Sequence, residues 1–161
     1  MVLGEEGHQS GEGRSRTNID LPGLQKELLK EIKKVNKNIV LVVMSGRPLD
    51  LTWEDENIPA IVQAWQLGSR SGDAIAQVLY GDYNPSGKLT MSFPRNVGQV
   101  PVYYNFKNTG RPSTSIEQVT NSGYADVENS PLYSFGYGLS YTNFSYSCLL
   151  YTSDAADDSL R

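Results

Sequence analysis

The segment Gly11-Glu12-Gly13-Arg14-Ser15-Arg16-Thr17 sets one carboxylate between two glycines and beside two arginines, a grouping suited to proton transfer. Glycine on both sides frees the backbone to expose Glu12. A carboxyl so exposed can give a proton to a leaving group and take one from water. Burial would raise its pKa, and Arg14 or Arg16 would lower it when close. From spacing alone, the plainer reading of Glu12 is a solvated loop glutamate. Glu5 and Glu6 are alternative proton donors. For Arg14 and Arg16, a structural salt bridge is as good a reading as orientation of Glu12. His8, the single histidine, reads as a plain polar contact, and one histidine with one cysteine cannot furnish a metal site. Asp50, Glu54, Asp55 and Glu56 read as the solvated acidic start of a helix.

The elements that would position these residues alternate as in α/β folds. Met1-Val2-Leu3 reads as the last residues of a buried strand, which puts Glu12 on the loop at a strand's carboxyl end, where α/β sheets carry their sites. Asp20 and Pro22 mark a helix start. Leu21, Leu24, Leu28, Ile32 and Val35 then lay an apolar stripe to about residue 35. Asn38-Ile39-Val40-Leu41-Val42-Val43-Met44 is a continuous apolar run rich in β-branched residues, the mark of a parallel strand covered on both faces. Residues 58–64 predict a short helix or turn giving way to another buried strand, which delivers Trp65 to a loop. Ser71 or Asp73 would cap a helix whose Ile75, Val78 and Leu79 face the sheet. Pro85 and Gly87 then reverse the chain into an extended segment over 88–93. The series predicts an α/β fold with an incomplete, doubly wound, mostly parallel sheet, an α/β sandwich truncated at both ends.

Several motifs stand in a fixed order. Gly81-Asp82-Tyr83-Asn84-Pro85-Ser86-Gly87-Lys88-Leu89-Thr90-Met91-Ser92-Phe93-Pro94 follows Ala64-Trp65, Gly68, Gly72 and Ala74-Ile75-Ala76. It precedes Gly98-Gln99-Val100-Pro101-Val102-Tyr103-Tyr104, Asn108-Thr109-Gly110-Arg111-Pro112 and Phe135-Gly136-Tyr137-Gly138-Leu139-Ser140-Tyr141. Together they resemble the family 3 glycoside hydrolases, the β-glucosidases and β-xylosidases, over roughly residues 4–147.

The resemblance implies that residues 1–147 are part of that family's carboxyl-terminal α/β-sandwich domain, with a loop-rich closing segment over 97–147. Aligned by Gly4-Glu5 and Arg16-Thr17-Asn18, Glu12 falls where the family's general acid/base glutamate lies. The nucleophile would be an aspartate on a preceding (β/α)8 barrel, and the closing motif would lead to a fibronectin-like domain. Neither domain is in this chain. His8, Arg14, Arg16 and Trp65 are the candidate sugar contacts, although a core or interdomain role is the plainer reading of Trp65. The implied activity is retaining hydrolysis of terminal β-linked glucose or xylose from glucosides and oligosaccharides, with no cofactor or metal, in the periplasm or outside the cell. The alternative is a non-catalytic carbohydrate-binding or interdomain packing module. The isolated piece is expected to fold poorly and to be inactive. One loop departs from the family: Arg70 replaces the usual acid, and Gln77 stands where aspartate is common. These changes weaken any substrate contact from that loop.

Composition bounds the rest. With 39% hydrophobic content, 161 residues can bury one core. A net charge of −4 disfavours nucleic acid or anionic membrane as partner, and no apolar run reaches transmembrane length. Met1-Val2-Leu3 runs straight into Gly4-Glu5-Glu6, unlike a secretory signal. Residues 113–130 are the least patterned and read as a long mobile surface loop. Asn143-Phe144-Ser145 has the form of a glycosylation sequon, which matters only in a eukaryotic secretory setting. From Cys148 to Asp157 the pattern breaks and resembles one frame of a transposon-derived sequencing adapter, so 148–161 reads as a non-native tail. Without that tail, 18 acids and 14 bases become 15 and 13, the charge becomes −2, and the one cysteine is gone.

Overall fold

The structure, a computed structural model, describes residues 1–107, 110–112 and 122–145. The tail from 148, the Asn108-Thr109 pair and residues 113–121 of the expected mobile loop lie outside the described residues.

Three strands, β1 (Val2–Gly4), β2 (Val40–Met44) and β3 (Ala60–Gln63), form a parallel sheet in the order β1-β2-β3. Val2, Val42 and Val62 are in register across it. This is the parallel α/β sheet that the sequence predicts. Helix α1 (Gln25–Val35) links β1 to β2, and α2 (Thr52–Asn57) links β2 to β3. Right-handed crossovers in one direction carry both helices to the same face. The core lies there: Leu41 and Val43 of β2 pack with Leu21, Leu29, Ile39, Leu49, Leu51, Ile58 and Phe93. On the other face Val42 is buried between its neighbours, while Val2, Val40 and Ala60 are exposed. The covering of both faces that the β2 run suggests is therefore absent among the described residues.

Helix α1 begins later than the Asp20-Pro22 signal suggests, because Gly23 takes a left-handed φ of 61° and breaks the chain before Gln25. Leu21 and Leu24 precede the helix, so helical spacing does not govern them. The buried residue of α1 is Leu29, with Ile32 packed beside it, whereas Leu28 and Val35 are exposed. The predicted stripe was therefore set one residue off at its centre. The Gln25 side chain donates to the Gly4 carbonyl at 2.9 Å and accepts from the Gly4 N–H at 2.7 Å, tying the start of α1 to the end of β1.

Helix α3 (Ser71–Tyr80) has no side-chain cap bond, since Asp73 pairs with Arg70 at 2.6 Å instead. None of its residues is buried, and Ile75, Val78 and Leu79 do not join the core. A helix is drawn across a sheet when the chain returns to pair a further strand, and among the described residues no strand after α3 joins the sheet. Residues 88–93 instead run beside 132–137, with Leu89 bonded to Gly136 and Tyr137, and Phe93 to Leu132 and Tyr133. Gly81 ends α3 in the left-handed conformation, φ 83°. The closing motif docks on the turn that follows: Asn84 Oδ1 accepts from the Tyr141 N–H and the Ser140 hydroxyl, both at 2.8 Å. The glycine demanded by close approach is Gly138 rather than Gly87, because a Cβ on Gly138 would sit 2.8 Å from the Gly87 carbonyl oxygen.

Candidate functional site

All three strands point the same way, so the loops after Gly4, Met44 and Gln63 share one edge of the sheet. That edge carries Glu12, Arg47 and Trp65. An open cleft of about 360 Å³ lies there, lined by Ser10, Gly11, Gly13, Arg14, Ser15, Gly46 and Arg47. Gly46 lets the β2 loop approach the β1 loop closely, since a Cβ on it would meet the Ser10 hydroxyl at 1.7 Å and force that side chain to move.

Glu12 occupies the tip of a four-residue turn. The Arg14 N–H donates to the Gly11 carbonyl at 3.1 Å, which leaves Glu12 and Gly13 as the central pair. Gly13 takes a left-handed φ of 69°, a value that glycine adopts without strain. Glu12 is exposed and has no hydrogen bond or ion pair among the described residues.

The arginines do something other than orient Glu12 directly. The Glu5 side chain is fully buried and holds Arg16 Nη1 at 2.7 Å and Arg47 Nε at 2.9 Å. Arg16 therefore points into the base of the loop, also reaching the Asp20 carbonyl at 3.4 Å. The same Arg47 donates through Nη2 to the carbonyls of Gln9, at 2.6 Å, and Arg14, at 2.7 Å. Sequence reading missed Arg47, because Ser45-Gly46-Arg47-Pro48 carries no pattern beyond closing the apolar run of β2. A lone arginine at a strand's carboxyl edge, opposite a glycine-rich loop, was the available signal.

The other candidates scatter. Arg14 lines the cleft with its side chain exposed. His8 is exposed and, among the described residues, meets Glu6 alone, at 3.1 Å. Trp65 takes a φ of 49°, the one left-handed non-glycine among the described residues, a conformation that costs a bulky side chain roughly 1 to 3 kcal/mol. Its ring lies 5.8 Å from Phe93 and packs on the core. Among the described residues no group of three or more His, Cys, Asp or Glu is arranged to hold a metal ion, and no helix is long and apolar enough to cross a membrane.

The acidic segment departs most from expectation. Asp55 and Glu56 are exposed as predicted, but Glu54 is fully buried in α2. Neither of its carboxylate oxygens has a hydrogen-bond partner, and Lys26 Nζ stops 3.9 Å away, occupied by Asp20 at 3.3 Å. Burial pushes its pKa above the ordinary carboxyl value, against the pull of Lys26.

The family model for the glycosyl hydrolase family 3 C-terminal domain matches residues 1–141. The chain belongs to this family. Among its relatives, the periplasmic beta-glucosidase of Salmonella typhimurium is 52% identical over 91% of this chain and 19% of its own length. The beta-xylosidase of Formosa agariphila is 45% identical over the same shares of the two chains. The crystal structure of a beta-glucosidase from Listeria innocua in complex with glucose superposes with a TM-score of 0.85 at 42% identity, covering 90% of this chain and 20% of that one. The chain thus spans about a fifth of the length of the relatives it matches. The family, read from five separated motifs, was correctly identified from the sequence.

Proposed function

We propose that the protein to which this chain belongs hydrolyses terminal β-linked glucose, or xylose, from glucosides and oligosaccharides, and that Glu12 is its general acid/base. The observation that carries this reading is the placement of Glu12: an exposed carboxyl at the tip of a glycine turn, beside a cleft, on the carboxyl edge of a family 3 sheet. A retaining mechanism needs two carboxyl groups about 5 to 5.5 Å apart. The second, the nucleophile, would come from a barrel domain outside this chain.

The steps divide between the two carboxyls. As the nucleophile bonds to the anomeric carbon and the glycosidic bond breaks, protonated Glu12 gives its proton to the departing aglycone oxygen, so the alcohol leaves neutral. The resulting carboxylate then takes a proton from water as the water oxygen displaces the nucleophile, which restores Glu12 to its starting state. An exposed turn tip suits a group that must meet substrate presented by another domain. The periplasm or the cell exterior is the proposed compartment, supported by the Salmonella relative's name.

Glu12→Ala in the full-length protein tests this. Turnover of a nitrophenyl β-glucoside is expected to fall about 10²- to 10⁴-fold and to recover in part with azide. Unchanged turnover would favour the packing-module reading.

A further inference from the structure

The turn bearing Glu12 is held by a residue of another loop. Arg47 lies on the loop after β2, more than thirty residues along the chain, and its Nη2 grips two carbonyls that bracket the turn: Gln9 on one side at 2.6 Å and Arg14 on the other at 2.7 Å. Its Nε is anchored at 2.9 Å on Glu5, whose side chain is fully buried and whose Oε1 also takes Arg16 Nη1 at 2.7 Å. The guanidinium is a planar fork with several donors, so one side chain fixes two backbone positions and its own orientation together. Within the loop the backbone bonds are short range: Gln9 N–H to the Glu6 carbonyl at 2.9 Å, and Arg14 N–H to the Gly11 carbonyl at 3.1 Å. These shape two turns but do not attach them to the sheet. Gly11 and Gly13, both at positive φ, add freedom where position is needed.

We propose that Arg47 is the positioning residue for Glu12, setting the height and direction of the acid/base turn over the cleft through the Gln9 and Arg14 carbonyls. This rests on the reading of Glu12 as the general acid/base. Arg47 makes no contact with Glu12 itself and acts through the backbone of its turn. Its effect therefore falls on the two steps in which Glu12 gives or takes a proton, of which kcat/KM reads the first.

The test uses the full-length enzyme and a series of aryl β-glucosides running from dinitrophenyl, whose phenolate leaves unaided, to unsubstituted phenyl, whose phenolate needs a proton. A displacement of about 1 Å at a reacting group costs on the order of 10²-fold in rate. Arg47→Ala is therefore expected to lose about 10²-fold in kcat/KM on the phenyl glucoside and far less on the dinitrophenyl glucoside. Arg47→Lys keeps the charge but has one nitrogen in place of three, so it cannot hold Glu5 and both carbonyls from separate atoms as Nε and Nη2 do. It provides a folded variant should the alanine variant fail to fold, and it is expected to show the same slope with leaving group, shallower. An equal loss across the series, or no loss in the folded lysine variant, would overturn the proposal. Glu12→Ala measured on the same series separates the two claims. A steep slope there with a flat one for Arg47→Lys sinks only the positioning role, whereas a flat slope for Glu12→Ala sinks the acid/base reading itself.

Discussion

Replacing Glu54 with methionine should stabilise the chain, and the size of the gain follows from what surrounds that side chain. Glu54 is fully buried in α2 with both carboxylate oxygens lacking a hydrogen bond. A buried polar group left unpaired costs about 1 to 3 kcal/mol, and a charged one more. Set against this is the attraction of Lys26 at 3.9 Å, but Lys26 is partly exposed and keeps Asp20 at 3.3 Å, so the substitution strands no buried cation. A gain of about 2 kcal/mol at neutral pH is the net expectation. With a urea slope of roughly 1 to 3 kcal/mol per M, the unfolding midpoint should rise by about 1 M. Trp53, on the same helix, and Trp65, packed on the core, report the transition by fluorescence. Glu54→Gln should gain less, because its amide also lacks partners. The gain must depend on pH. The folded state holds the Glu54 pKa above its ordinary 4.5, so folding takes up a proton in the window between the two values. Stability of the parent chain therefore falls as pH rises through that window and stays low above it. The advantage of methionine should shrink on acidification toward 4.5. A midpoint that drops, or a gain that is the same at every pH, refutes the reasoning.

Three further outcomes follow from the packing. Gly4→Ala should cost about 1 to 3 kcal/mol or more, because its Cβ would lie 1.8 Å from the Met44 carbonyl oxygen and the backbone of β2 cannot step aside; a urea midpoint no lower than the parent's contradicts this. Phe93→Ala removes a buried ring that sits 5.8 Å from both Trp65 and Tyr133, and should cost about 3 to 5 kcal/mol, read as a lost or sharply earlier Trp65 transition. The purified 161-residue chain should not hydrolyse a nitrophenyl β-glucoside, since on the proposed division of labour it would supply only one carboxyl of the two required; turnover by a preparation free of any barrel domain contradicts that division.

The parts of this fold that were legible in sequence are those set by local chemistry. The apolar run at 39–44 announces β2, and Gly81 announces the end of α3 because an αL residue is needed there. The parts that were not legible depend on what lies across the molecule. Leu28 and Leu29 are equally apolar neighbours, and only the position of the sheet decides that Leu29 is the buried one. Glu54 sits among acids that read as a solvated face, and its burial comes from α2 folding against the Leu51 and Ile58 cluster. The Ile75, Val78 and Leu79 face has a helical pattern, but among the described residues no further strand draws it over the sheet. The same limit governs the site. Glu12 can be singled out from its glycines and its place in the family, whereas the Glu5, Arg16 and Arg47 network exists only because β1 and β2 pair in parallel and end side by side.

Whether Glu12 is the acid/base of a retaining glycosidase is decided by the product that the Glu12→Ala full-length enzyme forms in azide. Azide needs no general base, so it should displace the nucleophile from the glycosyl-enzyme, the second of two displacements at the anomeric carbon. A β-glucosyl azide is expected, identified by the anomeric proton coupling in NMR, with azide restoring turnover of a nitrophenyl β-glucoside. An α-configured azide, or no azide adduct with turnover at the parent level, would contradict it.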